Sequence, residues 1–144
     1  GIVRSLYLTA LQDQAERREQ ALLEVQSLED AIKAIVHSYI DWVTDFPDFA
    51  RFLYMSSAIV KAQDDVSELK QKNQQRNHDL MKLMQKFHDQ QVIQNIPHEL
   101  LLSLVIGATE SYCRAWLSNQ VKTSPQSYKV KLADSAWRSL QEFR

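Results

Sequence analysis

The sequence predicts an all-α fold. Three observations carry that prediction: only 2 Gly and 3 Pro in 144 residues, long stretches with no helix breaker, and apolar residues that recur at helical rather than alternating spacing. With 44% hydrophobic and 24% charged residues, one domain spanning residues 1–144 can bury a core without disulfides or metals.

Residues 2–25 read as the first helix, apolar at Val3, Tyr7, Ala10 and Leu11 before the charged stretch Glu16, Arg17, Arg18, Glu19. Its start is expected to pack and its end to be solvated. Ser27 followed three residues later by Asp30 is a capping-box pattern, in which side chains satisfy backbone N–H groups that have no partner inside the helix. At about 100° per residue, Leu28, Ile32, Ile35, Tyr39, Trp42, Val43 and Phe46 share one face of the second helix, opposite Glu29, Asp30, Lys33, His37, Asp41 and Asp45.

Pro47 and Asp48 suit the first turn of a third helix, because proline lacks a donor that would be orphaned there and an acid complements the helix dipole. That helix is expected to end near Ser57. A fourth, from Asp65 to about Gln90, would be roughly 40 Å long at 1.5 Å per residue. Its packing stripe of Val66, Leu69, Leu80, Met84 and Phe87 is interrupted by Asn73 and Asn77.

The fifth helix, from Pro97 to about Asn119, is apolar around most of its circumference, which predicts a central position. Ser124 and Pro125 start the last one, which runs to Phe143 and carries Leu132, Ala133, Ala136, Trp137 and Leu140. The fourth and fifth helices are expected to organise the fold.

The net charge of −1 and pI near 6.5 offer no basic excess for neutralising phosphates, so this chain alone is not expected to bind DNA. A lone cysteine, Cys113, and the lack of a signal peptide or membrane-length apolar run point to the cytoplasm and away from membranes. No metal site is expected: Glu-x-x-His and His-Glu-x-x-His spacings are absent, His37 lies on a polar face, and His78 and His88 stand about 80° out of phase. Cys113 has no histidine near it in sequence, and no glycine-rich phosphate loop exists. Catalysis and cofactors are therefore not expected.

Two features remain. Tyr39, Trp42, Phe46, Phe52 and Met55, with Tyr7 and Leu11 on the first helix and Leu80 and Met84 on the fourth, either line an adaptable apolar pocket or form ordinary core. Asn73 and Asn77 on a packing face fit a polar-spotted cavity, or gaps filled by water or backbone capture. Ser103, Gly107 and Ser111 form a small-residue stripe beside Arg114. With Ala133, Ala136, Trp137 and Leu140 of the last helix, they suit either a two-fold dimer contact or internal packing.

The segment Tyr39-Ile40-Asp41-Trp42, leading to Phe46-Pro47-Asp48-Phe49-Ala50-Arg51-Phe52, is followed by Pro97-His98-Glu99-Leu100-Leu101, Gly107 and Trp116-Leu117. In that order and spacing the chain resembles the C-terminal region of tetracycline-repressor-type (TetR family) transcriptional regulators. Gly1-Ile2-Val3-Arg4-Ser5-Leu6-Tyr7 looks like the start of the helix that follows the family's DNA-binding headpiece, which is absent. The resemblance implies a six-helix bacterial regulatory domain, with residues 1–25 as the connecting helix and residues 97–143 as dimerisation helices. It further implies a small apolar or amphipathic effector among the first five helices, a homodimer, and DNA contact only through the missing headpiece. The alternative from the residues alone is a helical protein-interaction adaptor.

Overall fold

In a computed structural model, which describes residues 1–62, 67–87 and 95–143, the chain is all-helical, and the described residues contain no strand. The helices are α1 (Ile2–Leu22), α2 (Leu28–Asp45), α3 (Pro47–Lys61), α4 (Ser67–Lys86), α5 (His98–Leu117) and α6 (Lys129–Leu140), with short 3-10 turns at Pro125–Tyr128 and Gln141–Phe143.

Local chemistry sets the boundaries. Ser27 Oγ accepts the Asp30 N–H at 3.0 Å and caps α2, satisfying one of the donors every helix start leaves over. At the other end Phe46 leaves the helical region (φ −130°, ψ 60°), as the residue before a proline must to avoid the pyrrolidine ring. Pro47 then opens α3 as its first residue. α5 ends in a Schellman arrangement: Asn119 takes φ 63°, its N–H reaches Trp116 O at 3.1 Å, and the Gln120 N–H reaches Ala115 O at 2.9 Å. Asparagine tolerates the left-handed turn that glycine usually supplies there.

Three expectations about extent are corrected. α1 stops at Leu22, short of Val25. α3 continues past Ser57 to Lys61, because Val60, 2% exposed, anchors an extra turn in the core. The stretch expected as one last helix is a 3-10 turn, α6 and a second 3-10 turn. The expected ends of the fourth helix, Asp65 and Gln90, lie outside the described residues, as does His88.

The organising element is α2 rather than α4 or α5. It packs against α1, α3, α4, α5 and α6 and buries Ile32, Val36, Ile40, Trp42 and Val43 almost completely. α5, for all its apolar composition, buries one face through Leu101, Val105, Ile106, Thr109, Cys113 and Leu117 and leaves Leu100 exposed. α6 lies across α2 and α5. Its start is stapled to α2 by Asp41 Oδ1, which accepts from Lys129 Nζ at 2.7 Å and Gln126 Nε2 at 2.7 Å, while Lys33 bridges to Asp134 at 3.2 Å. Arg51 of α3 donates from Nε to Leu117 O at 2.9 Å, using one of the carbonyls left unpaired at the end of α5.

Candidate functional site

α1 meets the rest of the domain along a stripe at three- and four-residue spacing. Tyr7, Leu11, Gln14, Ala15, Arg18 and Leu22 recur every turn on one side of the helix, and together they close a cavity against α2, α3, α4 and α5. Its larger part, about 280 Å³, is lined by Tyr7, Leu11, Gln12, Gln14, Ala15, Arg18 and Glu19 of α1, Tyr39 of α2, Leu53, Tyr54 and Ser57 of α3, Gln75, Arg76 and Asp79 of α4, and Glu110 and Arg114 of α5. An adjoining recess of about 30 Å³ shares Gln14, Arg18, Tyr39, Arg76 and Asp79 as walls and is otherwise apolar, lined by Leu22, Ile35, Leu80, Leu83, Leu102 and Ile106. The larger part alone sits near the lower edge of the roughly 300–1,000 Å³ typical of small-molecule pockets.

Charge is distributed unevenly over these walls. Arg76 of α4 is paired with Glu110 of α5. Arg114 lies over the Tyr54 ring, 4.9 Å from its centroid, close enough for a cation–π contact. Arg18 donates from Nη1 to Gln14 Oε1 at 3.2 Å, and among the described residues it makes no ion pair. Burial pulls its pKa below the ordinary arginine value and the Arg76 charge adds to that, against the opposing pull of Asp79 and Glu19. Asp79 accepts from Gln75 Nε2 at 2.9 Å. The Tyr54 hydroxyl is buried with no hydrogen-bond partner among the described residues, and burial, with Glu110 nearby, drives its pKa far upward. Burial pushes the Cys113 thiol up to about 12, again helped by Glu110. It is fully enclosed and behaves as a small core residue. Among the described residues no group of three or more His, Cys, Asp or Glu stands close enough to hold a metal ion, and no described helix is long and apolar enough to cross a membrane.

Of the residues expected to contact a ligand, Tyr7, Leu11 and Tyr39 line the cavity and Leu80 lines the recess. Trp42 instead belongs to the core, 1% exposed, with its indole N–H donated to Asp13 Oδ2 at 2.8 Å. Phe52 and Met84 pack against the core away from the cavity. Phe46 is 39% exposed because the break before Pro47 turns it out of the α2 stripe, and Arg17 covers its ring at 4.4 Å. Met55 is 71% exposed, since the inner face of α3 is set by Ala50, Leu53, Ser56 and Val60, and Met55 falls opposite them. Asn73 and Asn77 belong to α4, but their side chains lie outside the described residues.

Sequence reasoning missed the polar half of the cavity: Gln14, Arg18, Tyr54, Arg76, Asp79 and Glu110. The α1 members could have been found by extending the stripe of Tyr7 and Leu11 through Gln14 to Arg18, across the charged stretch expected to be solvated. On α4 the inner ridge runs Arg76, Leu80, Leu83, one position off the expected continuation from Leu80 to Met84.

The residues expected at a dimer contact divide into two groups. Ser103, Ser111 and Arg114 are exposed, and Gly107 and Trp137 are half-buried. Ala133, Ala136 and Leu140 are buried within the protomer, because α2 and α5 cover the apolar arc of α6. Arg114 also borders the cavity. A scan of the chain against protein-family models matches none, and a search of curated proteins returns no relative. The functional reading therefore rests on the cavity and on the sequence resemblance alone.

Proposed function

We propose that this chain is the effector-binding and dimerisation domain of a bacterial, cytoplasmic TetR-type transcriptional repressor. The observation that carries the reading is that α1 forms one whole wall of the cavity, from Tyr7 to Leu22. In a regulator of this type α1 is the helix that bears the DNA-binding headpiece, so anything that fills the cavity acts on the lever that spaces two headpieces across a dimer. The coupling requires the ligand to bind the DNA-incompetent arrangement of α1 more tightly than the competent one, since equal affinity shifts no equilibrium. α1 is held to the rest by the polar contact of Asp13 with Trp42 and by Tyr7 and Ala10 in the core, so a shift of the helix is felt directly in α2 and α3.

The test is a thermal-shift screen of apolar and amphipathic compounds against the chain and against Ala15→Trp, which fills the cavity from the α1 wall. A ligand present at 100 times its dissociation constant adds about 2.7 kcal/mol of stability. The expected result is stabilisation of the parent and none of the variant. A second reading, a helical adaptor, draws on the exposed Ile2 and Leu6 of α1 and Met55 and Ile59 of α3. It becomes the better one if no compound stabilises the parent.

A further inference from the structure

The head group that the cavity would select follows from which of its polar groups still lack partners. Arg76 is occupied by Glu110, and the Arg114 guanidinium lies over Tyr54. Among the described residues Arg18 hydrogen-bonds the neutral amide oxygen of Gln14 and makes no ion pair, and at the boundary between cavity and recess it feels the like charge of Arg76 as well as the opposite charges of Asp79 and Glu19. A guanidinium partly withdrawn from water and without an ion pair is costly unless an anion completes it. The Tyr54 hydroxyl in the same cavity wall is likewise without an acceptor among the described residues. The unmet groups are thus a charged donor and a hydroxyl that can also donate, beside the apolar Leu11, Tyr39 and Leu53 of the cavity wall.

We infer that the cavity takes an amphipathic carboxylate, its head group on Arg18 and its apolar portion along Leu11, Tyr39 and Leu53 of the larger part, since the recess of about 30 Å³ has room for no more than the size of a water. The inference rests on the cavity being an effector site and adds the chemical class of the effector. A carboxylate matches the planar guanidinium fork and gains charge-assisted hydrogen bonds. An alcohol of the same length can cover the apolar wall but brings Arg18 no carboxylate. An alkylammonium would set a second positive charge against Arg18.

The experiment is isothermal titration of the chain with hexanoate, octanoate and decanoate, and with the alcohols and alkylammonium ions of matching length, at neutral pH and fixed ionic strength. The carboxylates are expected to bind on the order of tenfold or more tightly than the matching alcohols, the margin given by a hydrogen bond to a charged group. Arg18→Gln should remove that margin and leave the alcohols unchanged, while Arg18→Lys, which keeps the charge but not the fork, should retain part of it. Far-ultraviolet circular dichroism on both variants checks that the helices persist, and either variant alone suffices to read the margin. Alcohols or ammonium ions binding as tightly as the carboxylates, or a margin that survives Arg18→Gln, would overturn the carboxylate assignment while leaving the effector cavity standing. If no head group binds in a way that Ala15→Trp abolishes, the cavity is not an effector site and both readings fall.

Discussion

His37 projects from α2 among Lys33 and Asp41 of its own helix and Lys129 and Asp134 of the chain packed over it. Its Nε2 is buried and has no hydrogen-bond partner among the described residues. Burial lowers its pKa beneath the ordinary 6.5, with Lys129 adding to the fall and Asp41 opposing it. The unfolded chain therefore takes up a proton near pH 6.5 that the folded chain refuses. The stability this residue contributes is complete above that pH and is lost as pH falls through the folded value. Asp41 acts in a separate, lower window. Burial pushes its pKa up, but the hydrogen bonds from Lys129 and Gln126 outweigh burial and hold it below 3.8, so its contribution persists above that pH and disappears beneath it. Urea midpoints measured downward from pH 8, below the 9.0 at which the Cys113 thiol of the unfolded chain ionises, should be level to 6.5, then decline, then fall again below 3.8. His37→Gln should flatten the first decline and spare the second. An unaltered first decline would mean that another group titrates there.

At the scale of elements, α2 touches every other helix, so a loss at its N-terminus reaches the whole domain. Ser27→Ala removes the Oγ acceptor of the Asp30 N–H and should cost about 1 kcal/mol in urea denaturation, while Ser27→Asp, another good cap, should recover most of it. A Ser27→Ala variant as stable as the parent would show that water replaces the cap. Such caps explain why most helix starts were legible: Ser27, Pro47 and the pair Ser124 and Pro125 act on their own neighbours, and local chemistry is written locally. The length of α3 was not legible, because Val60 is buried by elements distant in sequence. Nor was the centrality of α2. The all-round apolar surface of α5 looked more central than the half-polar α2, yet α5 leaves Leu100 outside while the single face of α2 is shared among all its neighbours. The cavity was half legible. Tyr7, Leu11, Tyr39 and Leu80 belong to apolar stripes that periodicity reveals, whereas Arg18 and Glu110 look like solvated residues until the facing helices are in place. Aromatic pattern also could not separate pocket from core, and Trp42, held by Asp13, is core.

For the molecule as a whole, the question is which surface would meet a second copy. The buried positions of α6 do not provide it. Ala133, Ala136 and Leu140 are already covered by the protomer, so Leu140→Ala should lower unfolding stability by about 2–5 kcal/mol and leave any self-association unchanged at concentrations where the chain stays folded. Gly107 behaves differently. Among the described residues a Cβ built there meets nothing within 4 Å, so they give the glycine no steric purpose, and alanine should be favoured by roughly 1 kcal/mol through helix propensity alone. A helix crossing between two copies at Ser103, Gly107 and Ser111 would supply the missing purpose, since a small residue there lets the backbones approach. The two effects predict opposite behaviour for a bulky replacement. Sedimentation velocity on the parent should show a dimer, and Gly107→Leu should shift it toward monomer while helix content is kept. If the parent sediments as a monomer at tens of micromolar, or Gly107→Leu associates as the parent does, the glycine's place in α5 owes nothing to self-pairing. In that case only the helix-propensity effect remains, and Gly107→Ala should simply raise the melting temperature.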